Sequence, residues 1–163
     1  MLNSGLPNPP WTEGVPRGED VAYAAGLLDG EGTVGIYRSK RPTYFIYAVR
    51  TSVANTYRPV LEWLASKWGG SIHRTNRGEG RPCWSWALSS RSAVDFLREV
   101  LPYLRIKDRQ ARLALAFEAH RSAHHHMRRS EVDIRVYDSL KARISSLNKR
   151  GVDVLAERGV ALI

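Results

Sequence analysis

Two acidic residues stand close together in the segment AAGLLDGEG, which spans residues 24–32. Asp29 and Glu31 are separated by one glycine and follow a run of small and apolar residues. Carboxylate oxygens are typical ligands of hard divalent cations, so the pair is a candidate for metal chemistry. The spacing alone leaves open which of the two acids takes part, and the answer depends on the elements that hold them.

The composition fits one compact domain with a basic surface. The 163 residues are 43% hydrophobic, which is enough for a substantial core. The chain has 25 Lys and Arg against 16 Asp and Glu, which gives a net charge of +9. Such an excess favours a polyanionic partner, with nucleic acid ahead of an acidic membrane surface. A basic protein-interaction module that binds no polyanion is the alternative.

The sequence favours an intracellular protein, in the cytoplasm of a prokaryotic host or in an organelle. Its single cysteine, Cys83, allows no disulfide within the chain and no cysteine-based zinc site, which fits a reducing compartment. No apolar run approaches the roughly 20 residues of a membrane span, so we expect no membrane partner. Residues 1–18, rich in Pro and Gly, are predicted to form a flexible arm, and residues 19–163 a single domain.

Hydrophobic periodicity predicts an α+β fold with the core order αββαββ, followed by C-terminal helices. The patterns cover, in chain order, a helix at 19–28, strands at 33–41 and 43–53, a helix at 57–68, strands at 71–77 and 81–89, and helices at 90–104, 108–123 and 132–148. Gly30 and Gly32 are predicted to end the first helix. The four strands are expected to form an antiparallel sheet whose helices cover one face.

The uncovered face of this sheet is a candidate for binding double-stranded DNA. A twisted antiparallel ribbon fits the major groove, where side chains can contact base edges. A solvated face of a half-buried sheet would show the same polar residues, so the pattern alone does not decide. The residues predicted on or beside this face are Tyr37, Ser39, Arg41, Tyr44, Ala48, Arg50, Arg74, Asn76 and Arg77.

Residues 24–32 resemble the nine-residue signature of the LAGLIDADG homing endonucleases. The segment keeps the central Gly26-Leu27 pair and the ending in which two acids flank a small residue before a glycine. The αββαββ order, the segment PYLRIK at 102–107 and LNKRG at 147–151 also look like members with a single motif. The resemblance spans roughly residues 20–151. It implies a site-specific double-strand DNA endonuclease that needs no small-molecule cofactor.

By this resemblance the second acid of the motif, Glu31, is the metal ligand, beside the backbone carbonyl of Gly30. The implied metal is Mg²⁺, or another hard divalent cation such as Mn²⁺ or Ca²⁺. Many members carry Asp where this chain has Glu31. Lys107 matches the basic residue near the active site, which stabilises the phosphate or orders the attacking water. Asp29 is expected to be structural, accepting backbone hydrogen bonds near the end of the helix.

The resemblance also implies a homodimer, because members with one motif pair across a two-fold axis. Small residues allow two helices to approach closely, and the target of a two-fold dimer is expected to be nearly palindromic. The residues predicted to contact the partner are Ala24, Ala25, Gly26 and Leu28.

Two features leave alternatives open. Members often carry a polar residue after the second strand, where this chain has Val53, with Asn55 two positions later. The histidines at 120 and 124–126 could bind a metal if helical, although an exposed polar linker is favoured. The alternative function is a cleavage-inactive DNA- or RNA-binding protein, a maturase or a regulator, on the same fold.

Overall fold

The computed structural model describes residues 16–75, 82–123 and 130–149. Its elements are α1 (Gly18–Glu31), β1 (Gly32–Lys40), β2 (Phe45–Asn55), α2 (Arg58–Trp68), β3 (Ser71–Thr75), β4 (Cys83–Ser89), α3 (Ser90–Val100), a 3-10 turn (Leu101–Tyr103), α4 (Asp108–Ala123) and α5 (Glu131–Leu147). This order confirms the predicted α+β fold with an αββαββ core and C-terminal helices.

The four strands form one antiparallel sheet in the order β1-β2-β4-β3. Alternate residues of β2 are buried because this central strand has one face toward the helices, and Tyr47, Val49 and Val53 lie on that face. Val53 is paired with Trp86 of β4, which is also fully buried. The hydrophobic core therefore lies between one face of the sheet and the helices.

Aromatic rings fill this core beneath the helices. The Trp86 ring meets the Phe96 ring edge-on at 5.2 Å, and Trp68 packs on Phe96 at the same distance. The indole N–H of Trp86 donates to the Gly69 carbonyl at 2.7 Å, so its polar atom is satisfied. Gly70 has φ +93°, and a Cβ there would lie 2.6 Å from the Ala87 carbonyl oxygen. Only glycine fits this turn.

Polar contacts join α5 to β1 and β2, and α4 to α5. The Tyr47 hydroxyl donates to the Asp138 carboxylate at 2.9 Å, and Arg38 lies 3.2 Å from the same group. His120 lies 2.9 Å from Asp133, whose carboxylate caps the start of α5, so this histidine acts in helix packing. Residues 124–126 lie outside the described part of the chain. Within the described ranges, no helix has the length and apolarity to cross a membrane.

Helix α1 is longer than predicted, because Gly30 lies within it and only Gly32 ends it. The Gly32 N–H donates to the Leu28 carbonyl, and β1 begins at the same residue. A Cβ on Gly32 would lie 2.4 Å from the Leu28 Cδ1 and 2.6 Å from its carbonyl oxygen. Helix and strand therefore join without a loop, and Glu31 is fixed at the junction.

We expect Gly32→Ala to lower the free energy of unfolding by about 2 kcal/mol or more, because overpacking against backbone atoms forces the junction apart. Gly18→Ala, in the first turn of the same helix, is the matched control, since its added Cβ would lie at an ordinary 3.8 Å from the Tyr103 hydroxyl oxygen. The control should be neutral or stabilising by up to about 1 kcal/mol, the helix preference of alanine. Chemical denaturation of both variants measures this difference, and equal stabilities would contradict a crowded junction.

Candidate active site

Asp29 connects the end of α1 to a segment almost eighty residues later in the chain. Its buried carboxylate accepts hydrogen bonds from the backbone N–H groups of Arg105 at 2.8 Å, Ile106 at 3.2 Å and Lys107 at 2.9 Å. A carboxylate at a helix C-terminus is disfavoured by the helix dipole, and these three donors offset that cost. The structural role predicted for Asp29 is confirmed.

The same contact fixes Lys107 against the last turn of α1. Its ammonium donates to the backbone carbonyl of Asp29. Burial lowers the pKa of the Lys107 ammonium below its usual range, while the negative charges of Asp29 and Glu31 oppose this shift. A cation is thus held within electrostatic range of Glu31, although the two residues are far apart in sequence.

Glu31 is exposed at the C-terminal end of α1, and Gly30 beside it is exposed as well. Two groups here suit a hard cation: the exposed carboxylate of Glu31, and the backbone carbonyl of Gly30 in the last turn of the helix. The described residues contain no group of three or more His, Cys, Asp or Glu able to hold a metal. Of the two motif acids, Glu31 is the exposed one, while the Asp29 carboxylate is bound to backbone N–H groups.

The open face of the sheet begins two residues after Glu31. Strand pairing places Tyr37 opposite Ala48 and Gly35 opposite Arg50, with their side chains pointing away from the helices. Small residues such as Ser85 and Ala87 form the floor of this face. The residues of the open face are Thr33, Gly35, Tyr37, Ser39, Ile46, Ala48, Arg50, Ser52, Ala54, Ser71, His73, Thr75, Cys83, Ser85, Ala87 and Ser89.

The fold is similar to that of solved homing endonuclease structures. The homing endonuclease I-CvuI, in complex with its target, matches 86% of this chain and 90% of its own with a TM-score of 0.68 at 21% identity. The archaeal intron-encoded homing endonuclease I-Vdi141I, complexed with DNA, matches 83% of this chain and 88% of its own with a TM-score of 0.67 at 14% identity. The LAGLIDADG homing endonuclease I-SmaMI, bound to cleaved DNA, matches 76% of this chain but only 43% of its own, with a TM-score of 0.63 at 18% identity.

The chain has the LAGLIDADG homing endonuclease fold. At these identities the structural similarity establishes the fold alone. No protein-family model matches the sequence, and no curated protein does so.

The predicted partner-contact surface on the LAGLIDADG helix α1 is wrong for three of its four residues. Ala24, Ala25 and Leu28 are fully buried in the core of the protomer, so they cannot touch a second copy. Gly26 is exposed, and nothing lies within 4 Å of a Cβ placed on it. The outward side of α1 carries exposed residues at helical spacing, and these are Glu19, Tyr23, Gly26 and Gly30.

The predicted place of Arg74 on the open face is also wrong. Arg74 pairs with Trp84, and Ile72 on the same side of β3 pairs with the core residue Trp86. Arg74 therefore points to the helix side of the sheet, and its neighbour His73 points to the open face. The prediction assigned no role to His73, although the period-two alternation of β3 would have indicated it.

The other predicted DNA contacts stay predictions, and their positions differ. Tyr37, Ser39, Ala48 and Arg50 lie on the open face. Arg41 and Tyr44 are exposed in the turn between β1 and β2, where the Arg41 N–H donates to the Tyr44 carbonyl at 2.7 Å. Asn76 and Arg77 lie outside the described residues.

The two candidates for the polar position after the second strand are Val53 and Asn55. Val53 is fully buried in the core. The Asn55 side-chain oxygen accepts the backbone N–H of Tyr57 at 2.8 Å, at the start of α2.

We expect Asp29→Asn to lower the free energy of unfolding by about 2 kcal/mol, because it weakens charge-assisted hydrogen bonds and turns an amide N–H toward backbone donors. Asp95→Asn is the matched control: Asp95 forms surface ion pairs with Arg91 and Arg98 and is half exposed. Loss of the Asp95 charge should lower the free energy of unfolding by less than about 1 kcal/mol. Urea denaturation measures the stability of the two variants. Equal losses of stability would contradict the role of the Asp29 carboxylate in joining α1 to the segment 105–107.

Proposed function

We propose that this protein is a site-specific, metal-dependent DNA endonuclease that acts as a homodimer. The observation that carries the proposal is the pairing of an exposed acid with a positioned cation. The Lys107 ammonium contacts the last turn of α1 within electrostatic range of Glu31, where the open face of the sheet begins. An acidic ligand, a half-buried cation and an adjoining surface suited to the major groove are the parts that phosphodiester hydrolysis at a chosen sequence requires.

Three observations support DNA as the substrate. The net charge of +9 attracts a polyanion. The open face is an antiparallel surface with a floor of small side chains, which lets a duplex approach closely. Solved structures of similar fold include complexes of I-CvuI and I-Vdi141I with DNA and of I-SmaMI with cleaved DNA.

Glu31 and the Gly30 carbonyl are the groups that would hold Mg²⁺ or another hard divalent cation. Such a cation, when bound, supplies Lewis acidity and a hydroxide-like water. Glu31 contributes the carboxylate, and its exposure leaves room for phosphate oxygens and water as further ligands. The I-CvuI structures contain 2 mM Ca or 2 mM Mg, which is consistent with this choice of ion.

Lys107 supplies positive charge where the phosphate would become more negative. Because part of its water shell is lost on burial, its charge acts on a nearby phosphate with little screening. The contact with the Asp29 carbonyl sets the position of the ammonium before substrate binds. Asp29 is therefore a positioning residue, which acts through the backbone of the segment that carries Lys107.

We infer a dimer because, within the described residues, one copy brings a single exposed motif acid, Glu31, to this site. Cutting both strands of a duplex needs two such sites close together. The outward side of α1 ends at Glu31, so pairing two copies along Gly26 and Gly30 would bring two Glu31 carboxylates together. I-SmaMI is more than twice as long as its matched part, which leaves room for two such units in one chain.

We expect Glu31→Gln to abolish cleavage while DNA affinity stays within a few fold of wild type, since Gln keeps the shape but loses the ligand charge. Cleavage of a randomised duplex library with and without Mg²⁺ measures the first property. Gel-shift titration with Ca²⁺ measures the second. Glu62→Gln, on the exposed side of α2, is the matched control and should cut like wild type.

A wild-type protein that binds duplex DNA but never cuts it would instead support the cleavage-inactive alternative. One I-CvuI complex, with the I-CreI target and 2 mM Mg, contains DNA that is not cleaved, so binding and cutting must be measured separately.

We expect Gly26→Arg to convert the dimer to a folded monomer and to reduce cleavage at least tenfold. The exposed position can accept the side chain in a single copy, and arginine favours a helix over glycine by roughly 0.8 kcal/mol. Ala142→Arg on the exposed side of α5 is the matched control. Sedimentation velocity gives the mass of each variant, and a dimeric Gly26→Arg protein would exclude α1 as the interface.

A further inference from the structure

Arg50 is the only arginine or lysine on the open face among the described strand residues. It lies in the central strand β2, and its neighbours across the sheet are Gly35 on β1 and Ser89 on β4. The basic side chains of β1, Arg38 and Lys40, point to the opposite side. On the described strands, the positive charge of this face is thus carried by one guanidinium at a defined place.

The guanidinium is held by an aromatic ring. The Arg50 Cζ lies 5.4 Å from the centre of the Tyr37 ring, within the range of a cation–π contact. Tyr37 itself is 47% exposed, so the pair lies at the surface. A guanidinium next to an aromatic face loses little freedom when it forms two parallel hydrogen bonds, because its orientation is already restricted.

Gly35 makes room for this ring. A Cβ on Gly35 would lie 3.1 Å from the Tyr37 Cε2 and 3.8 Å from its Cδ2, so the ring leans over the glycine. The glycine is buried although it belongs to the open face, because the ring covers it. Its φ is not in the left-handed region, so the reason for a glycine here is space and not backbone conformation.

The rest of the open face offers few groups that discriminate bases strongly. Its described positions hold Ser, Thr, Ala, Ile and Cys, with His73 as the other large polar side chain. Bidentate contacts to adenine use Asn or Gln, and acceptance from cytosine uses Asp or Glu. None of these four residue types occurs on the described part of this face. Arginine is the side chain that pairs bidentately with O6 and N7 of guanine.

We infer that Arg50, braced by Tyr37 over Gly35, recognises one guanine in each half-site and is the main source of direct base discrimination on this face. Two copies of the chain then place this guanine at two symmetric positions of the target. This inference rests on the proposed DNA-binding function but does not require cleavage. Contact of the same guanidinium with a phosphate would give affinity without base preference.

The test is selection of bound sequences from a randomised duplex library, with Ca²⁺ in place of Mg²⁺ so that cutting does not interfere. Wild-type protein should select a symmetric pair of guanines. In Arg50→Lys, the preference for guanine over the other bases should fall on the order of 10- to 100-fold at this pair of positions only. Lysine keeps the charge but lacks the two parallel N–H donors of the guanidinium. Arg38→Lys, on the helix side of the neighbouring strand, should select the wild-type sequences.

Gly35→Ala provides the second variant, because it displaces the ring by a few tenths of an ångström without touching Arg50. We expect a partial loss of the same preference, with thermal stability equal to wild type or higher. An unchanged guanine preference in Arg50→Lys would overturn the inference, and so would an equal loss of affinity for all sequences. If the wild-type protein selects guanine but cuts nothing, the nuclease proposal fails and the inference stands. If it binds no duplex, both fail.

Discussion

The carboxylate of Asp29 holds together the part of the structure on which the proposed chemistry depends. Without it, the end of α1 and the segment 105–107 would lose three hydrogen bonds and would keep the contact of the Lys107 ammonium with the Asp29 backbone carbonyl. Three backbone donors fix the segment in all directions, because each N–H group constrains a different peptide plane. Asp29, which has no part in the proposed reaction, therefore sets the distance between Glu31 and Lys107.

Helix α1 has three functional parts: a side that packs into the core, an outward side, and a C-terminal end that carries two acids. One side, with Ala24, Ala25 and Leu28, packs into the core. The outward side is left free by glycines, whose lack of side chains allows another backbone to approach. The third direction is the helix end, where Asp29 and Glu31 point differently although one residue separates them. Asp29 thus stabilises the fold, while Glu31 stays exposed and available to a ligand.

Element order and the antiparallel sheet could be predicted well from the sequence, since alternation in β1, β2 and β4 is regular and the helices have clear apolar spacing. Glu31 and Asp29 received different predicted roles through the family resemblance, and for Asp29 the structure agrees. Three things required coordinates. The buried side of α1 could not be told from the outward side, because alanine and glycine are small in either setting. The direction of Arg74 depended on the start of a five-residue strand, where an error of one residue reverses the face. The contact between residues 29 and 107 joins positions that no local pattern connects.

The seamless passage from α1 into β1 has a geometric consequence for the proposed nuclease. A strand advances about 3.3 Å per residue and duplex DNA about 3.4 Å per base pair, so the two scales nearly coincide. Tyr37, six residues after Glu31, lies about 20 Å along the strand from the acid, the length of roughly six base pairs. In the proposed nuclease, each position on β1 would therefore lie at a fixed distance from the bond that is cut. Exchanging side chains along this strand would change which bases are preferred, while the distance from each contact to the severed bond would stay the same.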